Sequence, residues 1–202
     1  MEIRLEHEKE HKEVENLTRE AFWDVYRPGC NEHVVLHKLR KSKTFVSELD
    51  YVVIEDNQIV GNIVYTKVLQ DGEICDDITA FGPISVHPDY QRKGIGKKMI
   101  QYTIQKAKEL GYKAIMITGD TKYYHPLGFM SASRFGVHLP GIPMEKETAF
   151  FMAMELEEGY LKDHAGVYDF DENFNVSDEE LEAFEKELPS KTKRNPQKGD
   201  LT

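Results

Sequence analysis

Between residues 84 and 97 the chain reads Ile84-Ser-Val-His-Pro-Asp-Tyr-Gln-Arg-Lys-Gly-Ile-Gly-Lys97. Gly94 and Gly96 are flanked by Arg92, Lys93, Lys97 and Lys98. Glycine lacks a Cβ and tolerates unusual φ, so successive backbone N–H groups can converge on one anion. A helix that begins in such a turn adds the positive end of its dipole. This is the chemistry of a pyrophosphate cradle. Downstream, Tyr123 and Tyr124 supply phenols. An ordinary pKa of about 10 keeps a phenol protonated at neutral pH and ready to donate to a departing anion. Upstream, Glu73, Asp76 and Asp77 supply carboxylates that could receive a proton, directly or through water.

Three kinds of anion loop compete for this stretch. A P-loop needs an earlier glycine upstream of its Gly-Lys pair and Ser or Thr after the lysine. Here no glycine precedes Gly94 in the loop, and Lys98 follows Lys97. A dinucleotide fingerprint needs a third glycine three residues after the second, where Met99 stands. The third pattern is Gln/Arg-x-x-Gly-x-Gly/Ala, here Gln91-Arg-Lys-Gly94-Ile-Gly96. His87-Pro-Asp-Tyr90 precedes it, and Tyr124-His-Pro-Leu-Gly-Phe129 follows the next strand as a Tyr-x-x-Leu/Phe-Gly-Phe motif.

On these residues the chain resembles the GNAT superfamily of acetyl-CoA-dependent N-acetyltransferases, over about residues 1–155. The resemblance implies that Gln91, Arg92, Lys93, Gly94, Ile95, Gly96 and Lys97 take the coenzyme A pyrophosphate. It implies backbone contacts from Ile84 and Val86 to pantetheine, in a gap between a splayed pair of parallel strands. It implies Tyr124 as the general acid, with Tyr123 as competitor. The base stays open between Glu73, Asp76, Asp77 and water. Asp76 and Asp77 point to opposite faces of a regular strand, so at most one lines a cleft. The implied function is transfer of an acetyl group from acetyl-CoA to a primary amine by direct attack in a ternary complex. The acceptor, a small molecule or a peptide, is unnamed by the sequence. A catalytically silent coenzyme A binder is the alternative, and the phenol at Tyr124 favours the enzyme.

The elements that must position these residues are legible as periodicity. Ile3 and Leu5 alternate with charges, as in a short strand. Val14, Leu17, Ala21, Phe22 and Val25 predict a helix over 10–26, ended by Pro28-Gly29. Val34, Val35, Leu36 and Leu39 predict a second, ending near Ser42. Runs 51–54 and 59–66 predict a hairpin, and 74–86 a long strand. Ile95, Met99, Ile100, Ile104 and Ala107 predict a helix to Leu110, stopped by Gly111. Ala114 to Thr118 is a buried strand, and a crossover from 74–86 makes that pair parallel. Residues 150–154 read as another strand. Ser177 and Glu180 form a capping box for a helix over 178–188. The expected fold is α+β: a mixed, mostly antiparallel sheet with one splayed parallel pair and flanking helices.

The net charge of −10 over 202 residues is unevenly spread. Residues 1–154 carry a net −2, residues 155–188 carry 13 acids against 2 bases, and residues 189–202 carry a net +3. Three segments follow: an acetyltransferase domain over 1–155, an acidic extension over 156–188, and a tail over 189–202 expected to be disordered. Tyr160, Tyr168, Phe170, Phe174 and Phe184 require the extension to dock on the domain. Its Asp169, Asp171 and Glu172 are then expected near the acceptor entrance, steering a cationic amine. Nucleic acid is excluded as a partner, since phosphate neutralisation needs a basic face. No apolar run is long enough for a membrane span or a signal peptide. Two cysteines make no disulfide framework, and the histidines show no metal-ligand spacing, so no metal is expected. A cytoplasmic setting is expected, and a homodimer is left open.

Overall fold

The computed structural model describes residues 1–196. In chain order come β1 (Glu2–Leu5), α1 (His11–Phe22), α2 (Glu32–Leu39), β2 (Tyr51–Glu55), β3 (Gln58–Gln70) and β4 (Glu73–Val86). Then follow α3 (Ile95–Glu109), β5 (Ala114–Thr118), α4 (Thr121–Tyr124), β6 (Met130–Ser131) and β7 (Val137–His138). The chain closes with β8 (Phe151–Glu155), α5 (Tyr160–Asp163), β9 (Gly166–Asp169) and α6 (Asp178–Glu185). The main sheet runs β1-β2-β3-β4-β5-β8-β6, and β9 pairs with β3 and β7. Neighbours on the main path are antiparallel except β4 and β5, the mixed α+β arrangement expected from the sequence.

Strand alternation sends successive side chains to opposite layers. Val53, Ile63 and Tyr65 face α3 through Ile95, Met99 and Ile100. Val52 and Val64 face α1 and α2 through Val14, Leu36 and Leu39. The Tyr65 hydroxyl is buried against Thr103 Oγ1 at 2.8 Å, which satisfies both polar groups inside the α3 layer.

Helix ends differ from the periodicity. The first helix stops at Phe22 rather than 26 because Asp24 takes φ 60 and its carboxylate accepts the Gly29 N–H at 2.7 Å, folding residues 24–29 into a loop. The second helix stops at Leu39, and the last at Glu185 rather than 188. Strands β6, β7 and β9 and helices α4 and α5 are too short to leave a period in the sequence.

The extension packs on the domain. Tyr168 and Leu161 are buried in a cluster with Ile78, Met116 and Phe151. Asp171 is buried and accepts hydrogen bonds from Ser42 and Thr44, while its Oδ1 accepts the Asn173 N–H at 2.7 Å. Asp171 is therefore a latch, and the expectation that it steers substrate is corrected: its carboxylate is spent on protein donors. The tail also departs from expectation up to residue 196. The Trp23 indole donates to Thr192 O at 3.0 Å, Arg19 reaches Pro189 O at 3.1 Å, and Lys191 pairs with Glu20. Lys191 thus meets Glu20 on α1 and the ring of Trp23 just past its end. Residues 197–202, the rest of that tail, lie outside the described residues.

Glu185 on α6 fastens the extension. Its carboxylate takes Arg19 Nε at 2.9 Å and Nη2 at 2.6 Å, and His33 Nε2 lies 2.8 Å away. Burial pushes the His33 imidazole down to about 4, against the pull of Glu185. Burial alone would raise the Glu185 carboxyl, but the hydrogen bonds and charge of Arg19, with His33, hold it below its usual range. Glu185→Ala strands the buried guanidinium, a loss of about 3 kcal/mol, read as a lower urea midpoint at constant m. The pH dependence has a defined sign. The unfolded chain protonates His33 near its ordinary value of about 6.5 and the folded chain does not, so stability falls as pH drops from there toward 4. Glu185 adds to the loss at lower pH, and a His33→Asn variant should lose most of the slope between about pH 6.5 and 4 in a urea series.

Candidate active site

The ladder between β4 and β5 holds only from Ile78 to Ala80, opposite Ala114 to Met116. Beyond it β4 bends away. Ile63 faces Ile84 and Tyr65 faces Phe81, so Gly82 and Pro83 together oppose Val64 alone, a bulge at which Pro83 has no N–H to donate. The strands diverge into a cleft of about 1150 Å³.

The splayed half of β4 presents free main-chain groups to this cleft. The His87 N–H donates to Val60 O at 2.8 Å, and Gly61 faces Val86. In an antiparallel ladder this makes Gly61–Val86 a non-hydrogen-bonded pair, and Ile63–Ile84 another. The N–H and C=O of Ile84 and Val86 therefore point away from β3, toward the gap. The side chain of Gln91 uses one of them, donating to Val86 O at 3.0 Å.

The loop then turns into α3. His87 Nδ1 accepts the Asp89 N–H at 3.3 Å and shapes the turn at Pro88–Tyr90. Arg92 and Gly94 adopt φ 58 and 81, left-handed values that swing the chain into the helix. Gly94 is the N-cap and offers no side chain; the first intrahelical bond is Lys98 N–H to Gly94 O at 3.1 Å. The N–H groups of Ile95, Gly96 and Lys97 thus face outward at the positive end of a 15-residue helix. The Ile95 side chain is buried in the core, so only its backbone can serve a ligand. Arg92, Lys93 and Lys97 are exposed around the turn, with the Lys93 ammonium 4.9 Å from the Tyr90 ring centroid. A Cβ at Gly96 would lie 2.7 Å from the Tyr123 hydroxyl, so only glycine lets that tyrosine lie over the helix start. This donor set can hold an extended amide chain ending in a pyrophosphate.

Tyr124 closes the opposite wall. Asp120 caps α4 by accepting the Lys122 N–H at 2.9 Å. The Tyr124 ring stands 5.9 Å from those of Phe81 and Phe129 and rests on Gly119, where a Cβ would be 2.5 Å from a ring carbon. Gly128, at φ 100, turns the chain so that Phe129 is buried behind it. Burial, then Tyr123 and Tyr26, push the Tyr124 phenol well above its ordinary value. It therefore stays protonated at neutral pH. Tyr123 is far more exposed, at 45% against 9% for Tyr124.

The structure brings Ile84, Val86, Gln91, Gly96, Tyr123 and Tyr124 to one cleft. It does not bring Glu73, Asp76 or Asp77 there. Asp76 pairs with Lys67, the Asp77 carboxylate accepts the Tyr160 hydroxyl at 3.3 Å, and Glu73 lies exposed at the hairpin end. The acids that do line the cleft are Glu32 and Asp120. Sequence reasoning missed Glu32, which sits in no motif and reaches the cleft only because α1 and α2 fold over the β4 edge.

Glu6, His11 and Asp50 place ligand-type atoms within 4.8 Å of one another. Arg40 sits on both acids, 2.6 Å from Glu6 and 3.7 Å from Asp50, and Asn62 donates to Asp50 at 3.1 Å. The guanidinium already supplies the positive charge that a metal ion would bring.

The chain is similar to known proteins. The N-acetyltransferase YhbS of Escherichia coli K12 is 25% identical over 123 residues, 60% of this chain and 70% of the relative. Glucosamine 6-phosphate N-acetyltransferase of Schizosaccharomyces pombe is 33% identical over 111 residues, 52% of this chain and 92% of the relative. The crystal structure of Escherichia coli YhbS in complex with CoA shares the fold, with a TM-score of 0.75, 23% identity, and coverage of 87% of this chain and 92% of that one. A GNAT family acetyltransferase from Brucella melitensis in complex with acetyl-CoA superposes with a TM-score of 0.67 at 25% identity, over 86% of this chain and 97% of that one. Among the described residues no helix is long and apolar enough to cross a membrane. From residue 12 to residue 129, more than half its length, the sequence matches the model of the Acetyltransferase (GNAT) family, and the chain belongs to that family.

Proposed function

We propose that the chain transfers an acetyl group from acetyl-CoA to a primary amine by direct attack within a ternary complex. One observation carries the reading: the free backbone edge of Ile84 and Val86, the glycine-capped start of α3 and the Tyr124 phenol border the same cleft. Acetyl transfer needs the thioester held, its carbonyl polarised, the amine deprotonated and the thiolate protonated. The β4 edge would hold the pantetheine as an added strand, and one of its N–H groups would polarise the carbonyl. Gln91, Arg92, Lys93, Gly94, Ile95, Gly96 and Lys97 would receive the pyrophosphate. Tyr124 would protonate the thiolate. Residues 1–155 form the catalytic unit in this reading, with 156–188 as a buttress. Cys30 and Cys75 are free thiols, in keeping with a reducing cytoplasm.

The acceptor in the name of the Schizosaccharomyces pombe relative is not carried over. Glucosamine 6-phosphate bears a phosphate, and among the described residues lining the cleft Lys122 is the one cation, placed on α4 beside the Tyr123–Tyr124 wall. The test has two readouts. Acetyl-CoA should raise the melting temperature of the chain in a concentration-dependent way. A panel of primary amines should then release free thiol from acetyl-CoA. A melting shift with no thiol release from any amine would leave a silent coenzyme A binder. The absence of any shift would overturn the assignment of the cleft.

A further inference from the structure

The half of the cleft away from α3 is walled by Phe22, Tyr26, Val35, Phe150 and Phe174, and Glu32 stands among them. Glu32 lies half-buried in the first turn of α2. Its Oε2 accepts the Asn31 N–H at 3.0 Å, and no Lys or Arg among the described residues forms an ion pair with it. Burial raises its carboxyl above the usual range, although main-chain N–H groups and the charge of Arg27 pull the other way. A carboxylate that loses water without gaining a counter-ion is unfavourable, and a bound cation relieves it. Asp120, the other acid of the cleft, is committed to capping α4.

Tyr26 lines the cleft together with this acid and Tyr124. Its phenol is raised by partial burial and then by the charge of Glu32, although the residue is 63% exposed. An ammonium held at Glu32 would share that cleft with the Tyr124 phenol. The aromatic walls suit an apolar body and add cation–π attraction.

We propose that Glu32 binds the ammonium group of the acceptor and takes its first proton, and that the acceptor is an unphosphorylated primary amine on an apolar body. This rests on the acetyltransferase reading above. In the step, the ammonium gives one proton to Glu32, and its nitrogen bonds to the acyl carbon. The carbon–sulfur bond breaks, and the thiolate takes the Tyr124 proton. The second nitrogen proton returns to Tyr124 through water, and Glu32 releases its own to solvent. Each amide formed thus yields one thiol and one proton.

The experiment measures thiol release by the full chain with 2-phenylethylamine, hexylamine, glycine and glucosamine 6-phosphate, and acetyl-CoA affinity by calorimetry. The wild type should favour the two apolar amines. Glu32→Gln should lower kcat/KM for them by about 100-fold, mostly through KM, with acetyl-CoA affinity unchanged. Glu32→Asp should recover part of the loss, and Glu32→Gln should leave the melting temperature without ligand unchanged, which a purely structural role at the helix start would not produce. Preference for glycine or the sugar phosphate, or no turnover of either apolar amine by a wild type that binds acetyl-CoA, would overturn the proposal without any variant. So would a Glu32→Gln enzyme with unchanged kcat/KM. Failure of the wild type to bind acetyl-CoA would instead bring down the reading beneath it.

Discussion

Tyr124→Phe should lower the maximal rate of acetyl transfer by about 10²–10⁴-fold while acetyl-CoA affinity stays within a few-fold, the range for losing a general acid. The substitution deletes one oxygen and keeps a ring packed between Phe81 and Phe129 on Gly119. Folding should be spared, because the Tyr124 hydroxyl makes no hydrogen bond to any described residue. The same change at Tyr123 is the control. Its hydroxyl lies over Gly96, so Tyr123→Phe should alter coenzyme affinity more than rate. Stopped-flow thiol detection under single-turnover conditions isolates the chemical step. Wild-type single-turnover rates in Tyr124→Phe would move the proton to Tyr123 or to water.

The sequence spoke clearly where one element carries its own chemistry. Gly94, Gly96 and the apolar run from Ile95 to Ala107 state a turn, a helix start and a buried face within a few residues of each other. The crossover from β4 to β5 follows from length and apolarity alone. Tyr124 was legible as a residue near the cleft because α4 and its glycine turn are local. The acids did not. Asp76 and Asp77 share a strand with Ile84, but β4 is 14 residues long. At about 3.3 Å per residue, Asp76 is roughly 25 Å from the splayed end. Sharing a strand with Ile84 made the two acids candidates, and the cleft lies at the other end of that strand. Glu32 was illegible for the opposite reason. The loop before it, Pro28 to Asn31, has no periodicity, and only tertiary folding of α1 and α2 over β4 gives it a cleft to face. Strand β9 was likewise hidden: four residues, Gly166–Asp169, pair with only Leu69 and Gln70 of β3. The aromatics of the extension announced docking but not its register.

Gly94→Asp should abolish the melting shift produced by acetyl-CoA. Two effects act at one atom. The position has φ 81, a left-handed backbone that a side chain adopts only under strain. An aspartate there also sets a negative charge at the N-terminus of α3, where outward N–H groups would meet a pyrophosphate. Space is not the obstacle, since a Cβ at Gly94 meets nothing within 4 Å. Strain and charge can therefore be separated. Gly94→Asn is nearly the same shape, is tolerated in left-handed backbone and carries no charge. It should keep most of the acetyl-CoA affinity, while Gly94→Asp should lose at least about 100-fold, the scale of about 3 kcal/mol for a charged hydrogen-bond site turned repulsive. Both variants should melt within a few degrees of wild type without ligand, because the loop is exposed and Gly94 packs against nothing. Isothermal titration with acetyl-CoA and with pantetheine and S-acetylpantetheine, fragments lacking the pyrophosphate, gives the decisive contrast. The fragments should bind wild type and Gly94→Asp equally. Equal affinity of the two proteins for intact acetyl-CoA would mean that the start of α3 does not hold the pyrophosphate.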